Sequence, residues 1–277
     1  MMRKIKMILA AAVVSAFALG GCGIFTGTAG VVEDTVELKN FDTVDIEVRS
    51  VDVMLTRGDS FQLSYRTEKG KEPVIEEKDG RLTVRQPSKL LSLFSFRFDL
   101  EKDVYTITVP GNYDQEISLR AQAASGDVMI DRVKVSGEVE AQSGDVLFND
   151  LEGAKLSAQT KSGDIGCDKV KMTEVSFEAS SGNVEILRLF TDELSAETSS
   201  GDVEINNSEI KNIVCESSSG DVEIGLLGDK DDYSCSLHTS SGRIEVNDEE
   251  YEDSYEKDGG DGSIRVKTSS GDIEISM

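Results

Sequence analysis

Carboxylates are the residues of this chain best placed to do chemistry. The tripeptide Ser-Gly-Asp, or a near copy, recurs eight times, with its glycine at Gly126, Gly144, Gly163, Gly182, Gly201, Gly220, Gly242 and Gly271. Six copies carry the acid: Asp127, Asp145, Asp164, Asp202, Asp221 and Asp272. Carboxylates stacked about 5 Å apart repel, and a divalent cation bridging two of them would relieve the repulsion. Asp202 and Asp221 are therefore candidates for cation binding, as are Asp258 and Asp261 in an acidic insertion near the C-terminus, and calcium is the cation such ligands suit. Asn183 and Arg243 occupy the same position in two copies, so the motif works without a carboxylate. Asp and Asn side chains also fold back onto backbone N–H groups at turns. Neither an EF-hand spacing nor a calcium β-roll nonapeptide is present. Turn chemistry is the leading reading, and no metal centre or cofactor is expected.

His238 is the single histidine, so a His-based triad could run only through it and a poly-His metal site is excluded. It falls four residues before Gly242, on the outward-facing parity, which predicts a surface residue. Cys167, Cys215 and Cys235 fall on the inward parity and read as small core hydrophobes. Cys215 and Cys235 are expected in neighbouring coils but two positions out of line, near or beyond the ~7 Å Cα limit for a disulfide. No residue is assigned a catalytic role.

The N-terminus reads as an address. Arg3, Lys4 and Lys6 precede an apolar run, Ile8 to Leu19, that is shorter than the about 20 residues a bilayer requires. The run ends in Leu19-Gly20-Gly21-Cys22, which resembles the lipobox of a bacterial lipoprotein. That resemblance implies lipidation of Cys22, removal of residues 1–21, and a chain anchored to the cell envelope through lipid. Residues 22–34 then form a tether, 35–120 a degenerate β portion or cap, and 121–277 a regular repeat array.

The elements that must position these groups follow from the repeat. The glycine spacings are 18, 19, 19, 19, 19, 22 and 29. On each side of the glycine apolar residues alternate with polar ones, the pattern of a half-buried strand. Val128/Ile130, Val184/Ile186 and Val222/Ile224 are examples after the glycine. The inward parity flips across the tripeptide, so the chain turns a corner there. Gly suits a corner that needs positive φ, and the Ser before it is expected to form an inward hydroxyl ladder. Repeats of this length stack as coils, each resting on the next at about 4.8 Å. The fold class is all-β, a parallel β-solenoid with coils of about 19 residues. Ser50-Val51-Asp52 stands where Ser-Gly-Asp would be in the degenerate N-terminal portion. The acidic insertion 247–262 reads as a flexible loop.

The SSGDVEI motifs at 199–205 and 218–224, their relatives at 125–130 and 269–275, and TITVPGN at 106–112 resemble a bacterial putative-adhesin family of unknown function. The resemblance covers about residues 35–277. It implies a right-handed, β-helix-like solenoid on the cell surface and carries no catalytic residues over.

The formal net charge of −24 argues against nucleic acid and against electrostatic docking on an anionic membrane. The charge is uneven, because residues 121–277 hold 35 acids and 13 bases. An outward Glu row three after the glycine supplies part of it: Glu185, Glu204, Glu223, Glu245 and Glu274. The densest apolar stretch after the leader is KLLSLFSFRFDL at 89–100, where Leu93, Phe94, Phe96 and Phe98 are candidates for a docking patch if they do not cap the core. The leading functional reading is a non-enzymatic, lipid-anchored adhesin or scaffold that binds an envelope protein or cell-surface ligand. The alternatives are a regulatory, envelope-stress partner of a membrane protein, and a polysaccharide-active β-helix enzyme.

Overall fold

The computed structural model describes residues 30–87 and 103–277. Alternation along each strand decides the interior. In Ile117–Ala123 the residues Ile117, Leu119, Ala121 and Ala123 are buried while Ser118 and Arg120 face out. The same period holds through the repeats, and the buried set forms one continuous core. Phe177 and Phe148 stack in it with ring centroids 5.7 Å apart. Phe177 is flanked in its row by Ala158 and Ala196, whose small size leaves room for the ring.

The described strands join one sheet, folded at the corners into two ladders. One ladder carries the strands before each glycine and the other the strands after it. Repeats pair in parallel and in register, so Val146 faces Ile165 and Ile165 faces Val184. A second turn lies six residues after the glycine. Arg132, Asp150, Lys169, Arg188 and Asn207 all have φ between 50° and 57° there. The mixed residue types gave no signal for it.

The coils do not stack throughout in chain order. The coil built from Thr43–Val48 and Asp52–Gly58 lies between Arg81–Arg85 with Val104–Pro110 on one side and the Gly126 coil on the other. The final coil, Gly262–Thr268 and Ile273–Ser276, lies between the Gly220 coil and the Gly242 coil. This corrects the placement of two cysteines. Cys215 pairs with Val266 and Cys235 with Ile264, so a whole strand separates them. Both thiols are free and buried.

The corners also differ from expectation. None of the eight corner glycines has positive φ. Each is required by close approach instead: an added Cβ would lie 1.7–2.1 Å from a backbone carbonyl oxygen of the adjacent coil. The Ser before each glycine is exposed, because the turn has already rotated it outward. The buried hydroxyls stand three residues before the glycine. Thr198 Oγ1 accepts the N–H of Gly201 at 3.1 Å and donates to Gly182 O at 3.0 Å. Thr160 and Ser217 bridge the same two groups in their coils.

Antiparallel strands close both ends of the stack. Gln62–Glu68 pairs with Val104–Pro110, Val31–Glu37 pairs with Gln62–Glu68, and Val74–Lys78 pairs with Arg81–Arg85. At the other end Glu249–Tyr251 pairs with Ile244–Val246 and Ser254–Lys257 with Tyr233–Thr239. The insertion is therefore not a loop throughout, because it supplies two cap strands. Its rings Tyr251 and Tyr255 pack 4.5 Å apart against the core. Its exposed Glu249, Glu250 and Glu256 on the outermost strands, with Glu252 and Asp253 in the bend between them, place charge at this edge, which opposes pairing with another sheet.

Candidate functional site

The outer face of the second ladder carries the rows singled out in the sequence. Nearest the corner, each side chain bonds the next coil's backbone. Asp52 Oδ1 accepts the N–H of Asp127 at 2.9 Å, and Asp127 Oδ1 accepts that of Asp145 at 3.0 Å. The chain continues through Asp164, Asn183, Asp202, Asp221 and Asp272 to Arg243 N at 2.8–3.0 Å. It follows the spatial order of the coils. Asn183 fits because its amide oxygen accepts as a carboxylate does, and Arg243 fits because it stands last and only donates.

This arrangement gives Asp202 and Asp221 a structural task. One oxygen of each is held by a backbone N–H of the neighbouring coil. Asp258 and Asp261 are exposed between the last cap strand and the final coil and do not join them. Among the described residues no group of three His, Cys, Asp or Glu side chains is placed to hold a metal ion. Cys22 and the stretch with Leu93, Phe94, Phe96 and Phe98 lie outside the described residues.

One row further out, Glu185, Glu204, Glu223, Glu274 and Glu245 face one another in register on five consecutive strands. Partial desolvation, then the carboxylates of Glu204 and Asp164, raise the Glu185 carboxyl above its ordinary range. Partial desolvation, then Glu204 and Glu274, do the same to Glu223. The same row towards the N-terminal end holds Met54, Met129 and Leu147, each half-buried. One outer face thus passes from apolar to acidic along the stack.

A second polar cluster was not anticipated. Asp131 is buried, and its carboxylate accepts from Thr56 Oγ1 at 2.9 Å, Arg132 Nε at 2.7 Å and Asn149 Nδ2 at 2.6 Å. The three partners come from three coils, so it ties the N-terminal coil into the array. Aspartate followed by a left-handed Arg132 is the only local trace of it. Arg188 repeats the pairing on Asp168 with two bonds, at 2.8 and 2.6 Å.

The cysteines among the described residues are buried. Burial pushes the Cys215 thiol up to about 12, and the Cys167 thiol is pushed up by burial and then by Asp168. His238 is exposed on the outer face, as its parity predicted.

The chain is similar in fold to a protein named "putative lipid binding protein" from Parabacteroides distasonis, at TM-score 0.56 and 19% identity over 90% of this chain and 98% of that one. It is also similar to a "putative adhesin" from Parabacteroides merdae, at TM-score 0.50 and 12% identity over 90% and 97% of the two chains. At these identities the likeness is one of fold alone. No curated protein matches the sequence. The family model described as Toastrack DUF4097 matches residues 41–276, almost the whole described stack, and the chain belongs to that family.

Proposed function

We propose that this protein is a non-enzymatic, lipid-anchored binding or scaffold module of the cell envelope. Its outer acidic face is the binding surface. The observation that carries this reading is the in-register row Glu185, Glu204, Glu223, Glu274 and Glu245. Five neighbouring carboxylates at about the 4.8 Å interstrand spacing repel, and a fold tolerates that cost where the charge is used. A partner bearing positive charge would relieve the repulsion, as an envelope protein or cell-surface ligand can. In this reading the lipobox resemblance makes Cys22 the lipidated residue that tethers the chain to the envelope. The raised cysteine thiols and the solvated His238 support a non-enzymatic role, since a nucleophile needs an activating base.

A second reading is favoured by Met54, Met129 and Leu147. This half-buried apolar row fits docking of the N-terminal half onto a membrane protein. In intact cells, a photo-crosslinker at Glu204 is expected to capture a partner, and one at Met129 is expected to capture none. Capture only from Met129 would favour the second reading. Capture from neither, or turnover of a glycan by the purified protein, would overturn the first. Labelled fatty acid should be incorporated by the wild type and not by Cys22→Ser.

A further inference from the structure

The last coil of the chain occupies an interior slot. Gly262–Thr268 and Ile273–Ser276 run parallel to a neighbour on each side, the Gly220 coil and the Gly242 coil. Side-chain bonds hold it there, five of them as follows. Asp221 Oδ1 accepts Asp272 N at 2.9 Å, and Asp272 Oδ1 accepts Arg243 N at 2.9 Å. Thr268 Oγ1 donates to Gly220 O at 3.3 Å, and Thr239 Oγ1 donates to Gly271 O at 2.9 Å. Ser263 Oγ donates to Asn212 Oδ1 at 2.9 Å. All five join the segment to the slot walls.

The segment is tied to the rest of the chain by Asp258-Gly259-Gly260-Asp261. Gly259 and Gly260 have φ of 110° and 82°. Gly260 passes so close to Asp232 that an added Cβ would lie 2.4 Å from its carbonyl carbon. The closed hinge therefore depends on glycine, while an extended hinge would not.

We infer that residues 262–277 are an exchangeable donor, and that the slot of one copy accepts the same segment from a second copy of this chain. The closed monomer and the reciprocal dimer contain the same slot contacts. They differ at the hinge and in the cost of association, so concentration and hinge strain select between them. Because the motif recurs, the slot recognises a Thr-Ser-Ser-Gly-Asp corner flanked by alternating apolar residues, a chemistry this chain itself supplies.

The test uses the full chain carrying Cys22→Ser, unfolded in guanidinium and refolded at low micromolar and at near-millimolar concentration. Size exclusion with light scattering is expected to show a dimer that grows with concentration and reverts slowly on dilution. Gly260→Ala should raise the dimer share severalfold, because it strains only the closed hinge. Asn212→Cys with Ser263→Cys places thiols on adjacent parallel strands, within disulfide reach. The bond should lie within one chain in the monomer and between chains in the dimer, read by non-reducing electrophoresis. Should Gly260→Ala fail to fold, co-refolding heavy-isotope and light wild type decides the matter by the presence of mixed-mass dimers. The inference is overturned by wild type that stays monomeric at near-millimolar concentration, or by dimers whose engineered disulfides are all within one chain.

Discussion

Asp221 Oδ1 accepts the backbone N–H of Asp272 at 2.9 Å, although 51 residues separate them in the chain. The bond is one link in a row of carboxylate or amide oxygens that each hold the next coil's corner. Asp221→Ala removes the acceptor and leaves a corner N–H without it, which should cost about 1.5–3 kcal/mol. Asp221→Asn should cost far less, since Asn183 already performs the same task in this row. Urea denaturation of both variants checks the pair. Calcium at millimolar concentration is expected to give no heat in calorimetry, because the row is satisfied by backbone.

Gly220 tests the reason for the corner glycines. Gly220→Ala would put a Cβ 1.7 Å from Gly201 O, so we expect loss of the cooperative unfolding transition or a drop exceeding about 3 kcal/mol. Gly259 has positive φ but nothing within 4 Å of an added Cβ. Gly259→Ala should therefore cost only about 1 kcal/mol of backbone strain in the monomer. Equal losses at the two positions would contradict the close-approach account.

The glutamate row sets a pH dependence with a definite sign. Glu185 and Glu223 have folded-state values above the ordinary 4.5. A raised acid contributes stability that is fully present below its unfolded value and is lost as pH rises through the folded one. At neutral pH the row is thus destabilising. Glu204 stands between Glu185 and Glu223, and Glu204→Gln takes one like-charge neighbour from each of them at once. It should raise stability at pH 7 by roughly 0.5–1 kcal/mol. The gain should shrink as the pH falls towards the carboxylate range. A gain independent of pH, measured by thermal melts across that range, would point to packing instead.

Phe177 is buried in the core, stacked on Phe148. Its row neighbours Ala158 and Ala196 are too small to close over a vacancy. Phe177→Ala should cost about 3–5 kcal/mol, read as a shifted denaturation midpoint with an unchanged slope.

The C-terminal cap should matter for solubility as well as stability. Replacing residues 249–257 with a Gly-Ser linker would uncover Ile244–Val246 and Tyr233–Thr239 as parallel edges. Light scattering should then rise at concentrations where the wild type stays monodisperse. An unchanged scattering profile would mean that the acidic strands do not protect the edge.

Much of this protein is legible from one sequence because the fold is a repetition. Alternation around each glycine determined which residues are inward, and Val184, Ile186, Val203 and Ile205 are buried as their parity requires. The side-chain period of a strand is two, so local sequence suffices for that choice. The Asp row was visible too, together with the clue in Asn183 that it serves the corner. Hydroxyls could not be assigned by type alone: Ser200 and Thr198 are both polar, and only the turn between them sends one outward and the other onto Gly201 N. The order of the coils was decided only in three dimensions. Near-identical corners fit any slot equally well by local rules, so nothing in Thr268–Ile275 distinguishes a place beside Gly220 from a place at the end. What selects the slot is the whole chain's need to bury both terminal coils and cover the last edges with antiparallel, acidic strands.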